Sequence, residues 1–229
     1  MASSQTQDKL YELRMYEIKP MLMSNYIQLT RNGELYPSEH SKRVGHWRTE
    51  IGCLHEAVYL WEYDSLADRE DRREYITGDN EWKDNDSQYI VPMVKKQTTV
   101  LLKLLPWSNI EIKDQSKLKD KIFFELERIT LKDGIPRADD DSSEVKIYTE
   151  RLASRPNGPE LAGAFFSILG GVQDTIYLIW CYKSLSDITT IRSQHLEAVS
   201  DLKNHISDRR TKLLKPVDKP KRRNSSDSD

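Results

Sequence analysis

Hydrophobic and polar residues alternate in eight short segments of the chain, a pattern typical of β-strands that bury one face. β-Branched, aromatic and alternating residues predict four strands in the first half of the chain, near 10–18, 43–51, 55–63 and 97–105. The same features predict four strands in the second half, near 121–131, 162–169, 174–182 and 207–214. Each half therefore has the order strand, helix, strand, strand, helix, strand.

Helix signals fill the gaps between the predicted strands. Pro20 suits the first turn of a helix, and Asn32-Gly33 supplies the stop of that helix. In each half the second helix starts with a serine N-cap and an aspartate three residues later that reaches the free amides: Ser65 with Asp68, and Ser184 with Asp187. Two helices are predicted in the second half, near 143–154 and 185–204.

The two halves also resemble each other in sequence. The segment 11–19 is echoed by 124–132, and the segment 59–68 is echoed by 178–187. A βαββαβ unit covers one face of its antiparallel sheet with helices and leaves the other face bare. Two such units cover both bare faces when they close an eight-stranded barrel with the helices outside. The predicted fold class is therefore α+β, with two ferredoxin-like βαββαβ repeats.

The repeat divides the chain into five segments. Both ends are polar and offer little to bury, so we expect them to be disordered. The segments are a disordered N-terminus at 1–9, a first barrel repeat at 10–106, a linker at 107–120, a second barrel repeat at 121–216 and a disordered tail at 217–229.

Composition limits the classes of function. The chain has 229 residues, 37% hydrophobic and 31% charged, a balance typical of a globular protein with a well-solvated surface. Its 35 Lys and Arg residues nearly balance its 37 Asp and Glu residues, so no overall field attracts a nucleic acid. No segment approaches the roughly 20 apolar residues that cross a bilayer, so we expect no integral membrane segment.

The N-terminus and the cysteines both favour a cytoplasmic location. Residues 1–9 have neither the apolar core of a signal peptide nor the Arg-rich pattern of a mitochondrial presequence. Cys53 and Cys181 lie in or beside apolar strand segments, which favours reduced, buried thiols.

Several motifs between about residues 9 and 216 carry a family resemblance. In the first half they are Tyr11 to Tyr16 with Lys19-Pro20, Gly45 to Gly52, and Leu60 to Leu66 with Arg69. In the second half they are Gly163 to Ser167 with Gly170, and Trp180 with Tyr182 to Leu185. Taken in this order, these motifs resemble the NipSnap family.

The resemblance implies two tandem repeats that form a dimeric α+β barrel within one chain. It also implies a mostly non-enzymatic protein, because NipSnap members are linked to mitochondria, vesicular traffic and recruitment of autophagy machinery, and no catalytic residues are agreed for them. Protein partners from that machinery and a mitochondrial location, as the alternative to the cytoplasm, follow from it. A homo-oligomer and peripheral membrane association through Lys221-Arg222-Arg223 of the tail stay open.

Alternation along the first strand separates two faces. We expect one face to meet the helices: Tyr11, Leu13 and Met15. We expect the other to face the barrel interior: Glu12, Arg14 and Tyr16. Charges enclosed in a barrel must be paired or hydrated. Arg14 therefore either forms a structural salt bridge with Glu12, Glu125 or Glu127, or lines a polar pocket for an anionic or carbonyl-bearing small molecule.

The second strand adds further candidates. His46, Arg48 and Glu50 alternate on one face and could supply hydrogen-bond donors and a proton shuttle, although a solvated strand face explains them too. The aligned residues of the second half differ, so the set belongs to the first half alone: Phe165, Ser167 and Leu169. The candidate barrel pocket comprises Glu12, Arg14, Tyr16, His46 and Arg48. Trp61 and Trp180 are equivalent, which favours core packing over ligand stacking.

No motif for a metal, a cofactor or a nucleophile stands out. The 5 histidines show no ligand spacing, the 2 cysteines form no CxxC motif, and no Gly-rich loop is present. The sequence therefore predicts no catalytic residue, no metal site and no cofactor.

Two hypotheses of function remain. The leading one is a non-enzymatic NipSnap-like protein that acts through protein interactions in vesicular traffic or mitochondrial quality control. The alternative is a small-molecule-binding protein or an enzyme of the antibiotic-monooxygenase-like α+β barrel type that uses a polar barrel pocket. A barrel filled by side chains favours the first, and an open cavity lined by Arg14, Tyr16 and His46 favours the second.

Overall fold

The computed structural model describes residues 9–31, 42–78, 88–110, 123–132, 143–155 and 159–217. Several sequence-based expectations therefore lie outside the described residues. These are the N-terminus at 1–8, most of the linker at 107–120, the helix stop at Asn32-Gly33 and the tail from residue 218 onward.

The described residues form eight strands. Their bounds are β1 (Leu10–Ile18), β2 (Lys42–Ile51), β3 (Glu56–Tyr63), β4 (Val94–Leu104), β5 (Phe123–Leu131), β6 (Glu160–Leu169), β7 (Thr175–Tyr182) and β8 (Ile206–Pro216). All neighbouring strands are antiparallel, and the sheet closes into a barrel with the order β1-β3-β2-β8-β5-β7-β6-β4. The eight predicted strands and the α+β barrel are thereby confirmed.

The helices lie in the connections between strands. Their bounds are α1 (Met23–Arg31), α2 (Leu66–Gly78), α3 (Gln88–Ile90), α4 (Ser143–Leu152) and α5 (Ser186–Ala198). Short 3-10 turns occur at Pro20–Leu22, Val91–Met93 and Ser200–His205. In place of one helix at 185–204, the structure has α5 followed by the last of these turns. Among the described residues, no helix combines the length and the apolar character that crossing a bilayer requires.

The predicted cap of α2 is present. The amide of Asp68 donates to Oγ of Ser65 at 3.0 Å, and the amide of Asp64 donates to Oδ2 of Asp68 at 2.8 Å. Two amides at the helix start are thus satisfied by two side chains. In the second half, Oγ of Ser184 accepts from the amide of Ser186 at 3.2 Å.

Strand pairing is equivalent in the two halves. Glu12 of β1 is opposite Trp61 of β3, and Glu125 of β5 is opposite Trp180 of β7. The halves meet where β2 pairs with β8 and where β4 pairs with β6. These two junctions turn two four-stranded sheets into one closed barrel.

Apolar side chains from all eight strands fill the barrel interior. Tyr11 of β1 meets Phe165 of β6 edge to face with ring centroids 5.3 Å apart, and Trp47 of β2 meets Phe124 of β5 at 5.4 Å. Neither pair belongs to neighbouring strands, so these rings meet across the interior. The filling cluster also includes Leu13, Val44, Val58, Leu60, Val100, Leu102, Leu126, Ala162, Tyr177, Ile179, Cys181 and Leu214.

The expected orientation of the first strand was wrong. Tyr11 and Leu13 belong to the interior cluster, whereas Tyr16 packs with Tyr26 and Ile27 of α1. Glu12, Arg14 and Tyr16 therefore lie on the helix-facing side of the sheet. The physical reason is the cost of enclosing charge among the apolar side chains in the middle of the barrel, whereas helices bring arginines to the outer face.

In each half, the residue just beyond the last strand is buried in the other half. The amide of Leu105, just beyond β4, donates to the carbonyl oxygen of Ala164 at 3.0 Å, and Leu105 joins the helix-side cluster of the second half. The amide of Val217, just beyond β8, donates to the carbonyl oxygen of His46 at 3.1 Å, and Val217 joins the helix-side cluster of the first half. This exchange makes the two helix-side cores depend on each other.

We predict that residues 1–112 do not fold alone, because β2 and β4 would lose their partner strands and the interior face of the sheet would be exposed. The expected result is aggregation or dimerisation, measured by size exclusion with light scattering and by thermal melting. Co-expression with residues 113–229 is the control and should restore a soluble complex. A cooperatively melting monomer of residues 1–112 would contradict the single barrel.

Candidate functional site

The candidate residues of the first half share a layer between the sheet and the helices. Glu12, Arg14 and Tyr16 of β1 and His46 of β2 are buried on the helix-facing side, with 0%, 9%, 7% and 2% of their surface exposed. Arg48 lies toward the end of β2, where it is partly exposed and forms an ion pair with Glu50 at 2.8 Å. The structure thus brings four of the five candidates together and leaves Arg48 at the edge.

Glu12 is the centre of this layer. Its Oε2 accepts from Nη2 of Arg14 at 2.6 Å and from the hydroxyl of Tyr63 at 3.0 Å. Its Oε1 accepts from Nη2 of Arg69 on α2 at 2.6 Å, and Nη1 of Arg73 lies 3.8 Å from the same oxygen. Three guanidiniums therefore surround one fully buried carboxylate.

The surrounding charges keep Glu12 ionised. Burial by itself would raise the pKa of Glu12, but the charges and hydrogen bonds of Arg14 and Arg69 outweigh burial and hold this pKa below its ordinary value. Burial would likewise lower the pKa of Arg14, yet Tyr16 and Glu12 raise it above its ordinary value. Burial raises the pKa of Tyr63 to about 12, so its hydroxyl stays a donor near neutral pH.

Aromatic rings continue the layer from Arg14 to His46. The guanidinium of Arg14 lies over the ring of Trp61, 5.8 Å from its centroid. Trp61 and Tyr59 are stacked at 6.0 Å, and His46 stacks on Tyr59 at 4.2 Å with an interplanar angle of 10°. The hydroxyl of Tyr59 is 3.0 Å from that of Tyr26 on α1.

His46 is unsuited to carry a proton near neutral pH in this structure. Burial, and then the charge of Arg43, lower its pKa to about 3. Its Nε2 is buried and has no hydrogen-bond partner among the described residues. The ring is therefore neutral and packs as an aromatic group.

The second half contains a related cluster that sequence reasoning did not assemble. Oε2 of Glu125 accepts from Nη1 of Arg155 at 2.8 Å and from the hydroxyl of Tyr182 at 2.7 Å, and Arg192 of α5 also pairs with Glu125. Glu127 pairs with Arg155 at 2.8 Å and with Arg209 of β8 at 2.6 Å. Charges on Arg155 and Arg209 hold the pKa of Glu127 below its ordinary value despite its burial.

Of the three expected partners of Arg14, Glu12 is the one with which it pairs in the described residues. Arg14 pairs within its own strand with Glu12, and the two glutamates of β5 pair with arginines of the second half: Arg155, Arg192 and Arg209. The sequence contained one signal for the helix partners, since Arg73 and Arg192 both stand eight residues after the cap serines Ser65 and Ser184.

The alignment of β2 with β6 also needed correction. Both strands contain an irregularity, between Arg43 and Gly45 and between Leu161 and Gly163, after which Gly45 is opposite Leu60 and Gly163 is opposite Ile179. His46, Arg48 and Glu50 therefore correspond to Ala164, Phe166 and Ile168 rather than to Phe165, Ser167 and Leu169. The glycines agree with this alignment, because the ring of Trp47 covers Gly45 and the ring of Phe165 covers Gly163.

A cavity adjoins the Glu12 cluster along α2. It has a volume of about 490 Å3 and is lined by Leu66, Arg69, Glu70, Arg73, Glu74 and Thr77. All six residues lie on one face of α2, so the described part of this cavity is an open groove along that helix. The cavity is outside the barrel, so it is not the polar pocket that the sequence predicts in the barrel interior.

The described residues form no metal-binding cluster, and the two cysteines differ in exposure. No group of three or more His, Cys, Asp or Glu side chains among the described residues could hold a metal ion. Cys181 is buried, as expected, but Cys53 is exposed in the turn after β2, so the expectation of two buried thiols was wrong for Cys53.

We predict strong coupling between Glu12 and Arg14 in the free energy of unfolding. Glu12→Gln should cost about 3 to 5 kcal/mol, because it leaves buried guanidiniums without their carboxylate. Arg14→Met should cost less, because Arg69 still pairs with Glu12. The double variant should be more stable than the sum of the single losses by about 0.5 to 3 kcal/mol, measured by urea unfolding.

The exposed pair Lys42 and Asp64, 3.0 Å apart, is the matched control for this cycle. Lys42→Met and Asp64→Asn should each change stability by no more than about 1 kcal/mol. Additive effects of the Glu12 and Arg14 variants would contradict the coupled cluster.

We predict that the neutral, buried His46 makes the fold less stable in acid. The pKa of His46 is lowered in the folded state, so the unfolded state binds the extra proton first. The contribution of His46 to the free energy of unfolding is complete above pH 6.5, and it falls by about 1.4 kcal/mol per pH unit as the pH drops toward 3. His46→Phe should reduce this slope, measured by urea unfolding at several pH values. An unchanged slope in His46→Phe would contradict the assignment.

Comparison with known proteins shows that the part of the chain that carries the cluster is similar to a protein family. The NIPSNAP family model matches residues 11–109, which contain Glu12, Arg14, Arg69 and Arg73. Human NipSnap homolog 3A is 24% identical over 217 residues, covering 90% of this chain and 83% of that protein. The NipSnap homolog of Dictyostelium discoideum is 26% identical over 219 residues, covering 93% of this chain and 89% of that protein.

Solved structures with the same architecture are more distant in sequence. A candidate monooxygenase from Fusobacterium nucleatum superposes with a TM-score of 0.63 at 12% identity, covering 92% of this chain and 93% of that chain. An anthrone oxidase-like protein gives a TM-score of 0.61 at 10% identity and covers 93% of both chains. These structures share the fold, and at such identities they indicate nothing about activity. The relatives and the family model together confirm the resemblance: residues 11–109 match the NIPSNAP family model, and the chain is similar to NipSnap homologs over about nine-tenths of its length.

Proposed function

We propose that this protein is a non-enzymatic interaction protein that acts in vesicular traffic or in mitochondrial quality control. The observation that carries the proposal is the filled barrel interior. Trp47, Phe124 and Phe165 are completely buried there, so the space between the two halves is occupied by the protein itself. Binding through the outer surface is the function that such an interior leaves available.

The similarity to NipSnap proteins supports protein partners from the trafficking or autophagy machinery. NipSnap members are linked to mitochondria, vesicular traffic and autophagy machinery, and this chain is similar to curated NipSnap homologs over about nine-tenths of its length. We therefore infer partners from the trafficking or autophagy machinery, in the cytoplasm or at mitochondria. We also infer that the two halves are tandem ferredoxin-like repeats, because their strand pairs correspond throughout.

The alternative of an enzyme with a barrel pocket receives less support. Its candidate residues Arg14, Tyr16 and His46 lie outside the barrel, and the pKa of His46, lowered to about 3, does not suit a general base near pH 7. The cavity along α2 is the place where a ligand could still bind, and it does not require catalysis.

The test is removal of the protein from the cells that make it. We expect slower clearance of depolarised mitochondria or slower vesicle delivery, measured by a pH-sensitive mitochondrial reporter and by cargo arrival. The full chain should restore the rate. Trp47→Ala, which opens the filled interior and should cost about 3 to 5 kcal/mol, is the destabilised control that should restore it poorly.

Two outcomes would overturn the proposal. Unchanged mitochondrial clearance and unchanged vesicle delivery after removal would exclude both roles. Purified protein that turns over a small molecule without any partner would replace the interaction role with an enzymatic one.

A further inference from the structure

The two halves balance charge differently beneath their helices. In the first half three guanidiniums share one carboxylate, Glu12: those of Arg14, Arg69 and Arg73. In the second half three guanidiniums share two carboxylates, Glu125 and Glu127: those of Arg155, Arg192 and Arg209. Among the residues that the structure describes, the first cluster therefore has one carboxylate fewer than the second.

The missing carboxylate has a defined place in the sequence. Arg14 is two residues after Glu12 on β1, and Glu127 is two residues after Glu125 on β5. Strand pairing keeps the correspondence, because Arg14 is opposite Tyr59 and Glu127 is opposite Leu178 on the equivalent strand. An arginine in the first half thus replaces a carboxylate in the second.

The helices above the two clusters also differ: α5 packs an apolar residue against the sheet, whereas α2 places guanidiniums there. Ile191 of α5 is 7% exposed and packs against the sheet, whereas no residue of α2 is buried. Counted from the cap serines Ser65 and Ser184, Arg69 takes the position of Ile188. Where the second half has apolar packing, the first half has guanidiniums beside a cavity of about 490 Å3.

We propose that this cavity binds a small organic carboxylate through the guanidiniums of Arg69 and Arg73. The ligand supplies the negative charge that Glu127 supplies in the second half, and a forked guanidinium pairs with a carboxylate through two parallel hydrogen bonds. Arg73 is the available group, because its Nη1 is 3.8 Å from Glu12 and its side chain is 46% exposed. Nε of Arg69 is buried and donates to none of the described residues.

Two glutamates on the wall of the cavity limit the ligand charge. Glu70 and Glu74 of α2 also line the cavity, and both are exposed. Water and salt screen exposed charges, so these glutamates act less strongly on the ligand than the buried cluster does. They nevertheless favour a monocarboxylate over a more highly charged anion. Leu66 provides an apolar contact at one end of the cavity.

The test is titration of the full chain with sodium acetate, hexanoate and benzoate by isothermal calorimetry at constant ionic strength. Acetamide, hexanamide and benzamide are the matched neutral probes. We expect at least one carboxylate to bind saturably with one site per chain, and its amide to bind at least about tenfold more weakly. Arg73→Gln should weaken carboxylate binding by about tenfold or more while the melting temperature changes little, because Arg73 is half exposed.

The pseudo-symmetric variant Arg192→Gln is the control, since Arg192 stands at the same helix position above a cluster that already has two carboxylates. It should bind carboxylate as the unmodified chain does. Absence of saturable binding to all three carboxylates would overturn the proposal. Equal binding of the amides, or equal loss of binding in Arg192→Gln and Arg73→Gln, would overturn it too.

Discussion

The apolar interior of the barrel is the constraint on which the other features of the molecule depend. Closing eight strands around side chains such as Trp47, Phe124 and Phe165 fills the middle of the interior with apolar groups, which cannot solvate a charge. The charged residues in the middle of β1 and β5 must therefore lie on the opposite face, beneath the helices. Burial there is tolerated only because guanidiniums from the helices and neighbouring strands reach each carboxylate.

This requirement explains why both halves carry the same core of polar contacts. Glu12 with Tyr63 and Glu125 with Tyr182 occupy equivalent positions, and an arginine of the following helix approaches each glutamate. The halves differ in the charges around this core. The second half has a second carboxylate, Glu127, in its cluster, whereas the first has Arg14 at the corresponding position and two further guanidiniums beside an open cavity. The NIPSNAP family model matches the half with the open cavity.

The exchange of Leu105 and Val217 links the two halves outside the barrel interior as well. Each residue is buried in the helix-side cluster of the other half, so loosening one half exposes apolar surface in both. Together with the shared interior, this exchange ties the stability of the half that contains the cavity to the stability of the half that does not.

The sequence by itself determined the strands, the order of elements, the duplication and the cap of α2, because alternation and capping are local patterns of a few residues. It also determined which residues of β1 share a face. Alternation has the same period on both faces, however, so it could not decide which face is interior. Only the tertiary structure decided that, since the answer depends on seven other strands and on where the helices place their arginines. The irregularities in β2 and β6 and the approach of Arg69 to Glu12 across 57 positions of sequence were decided in the same way.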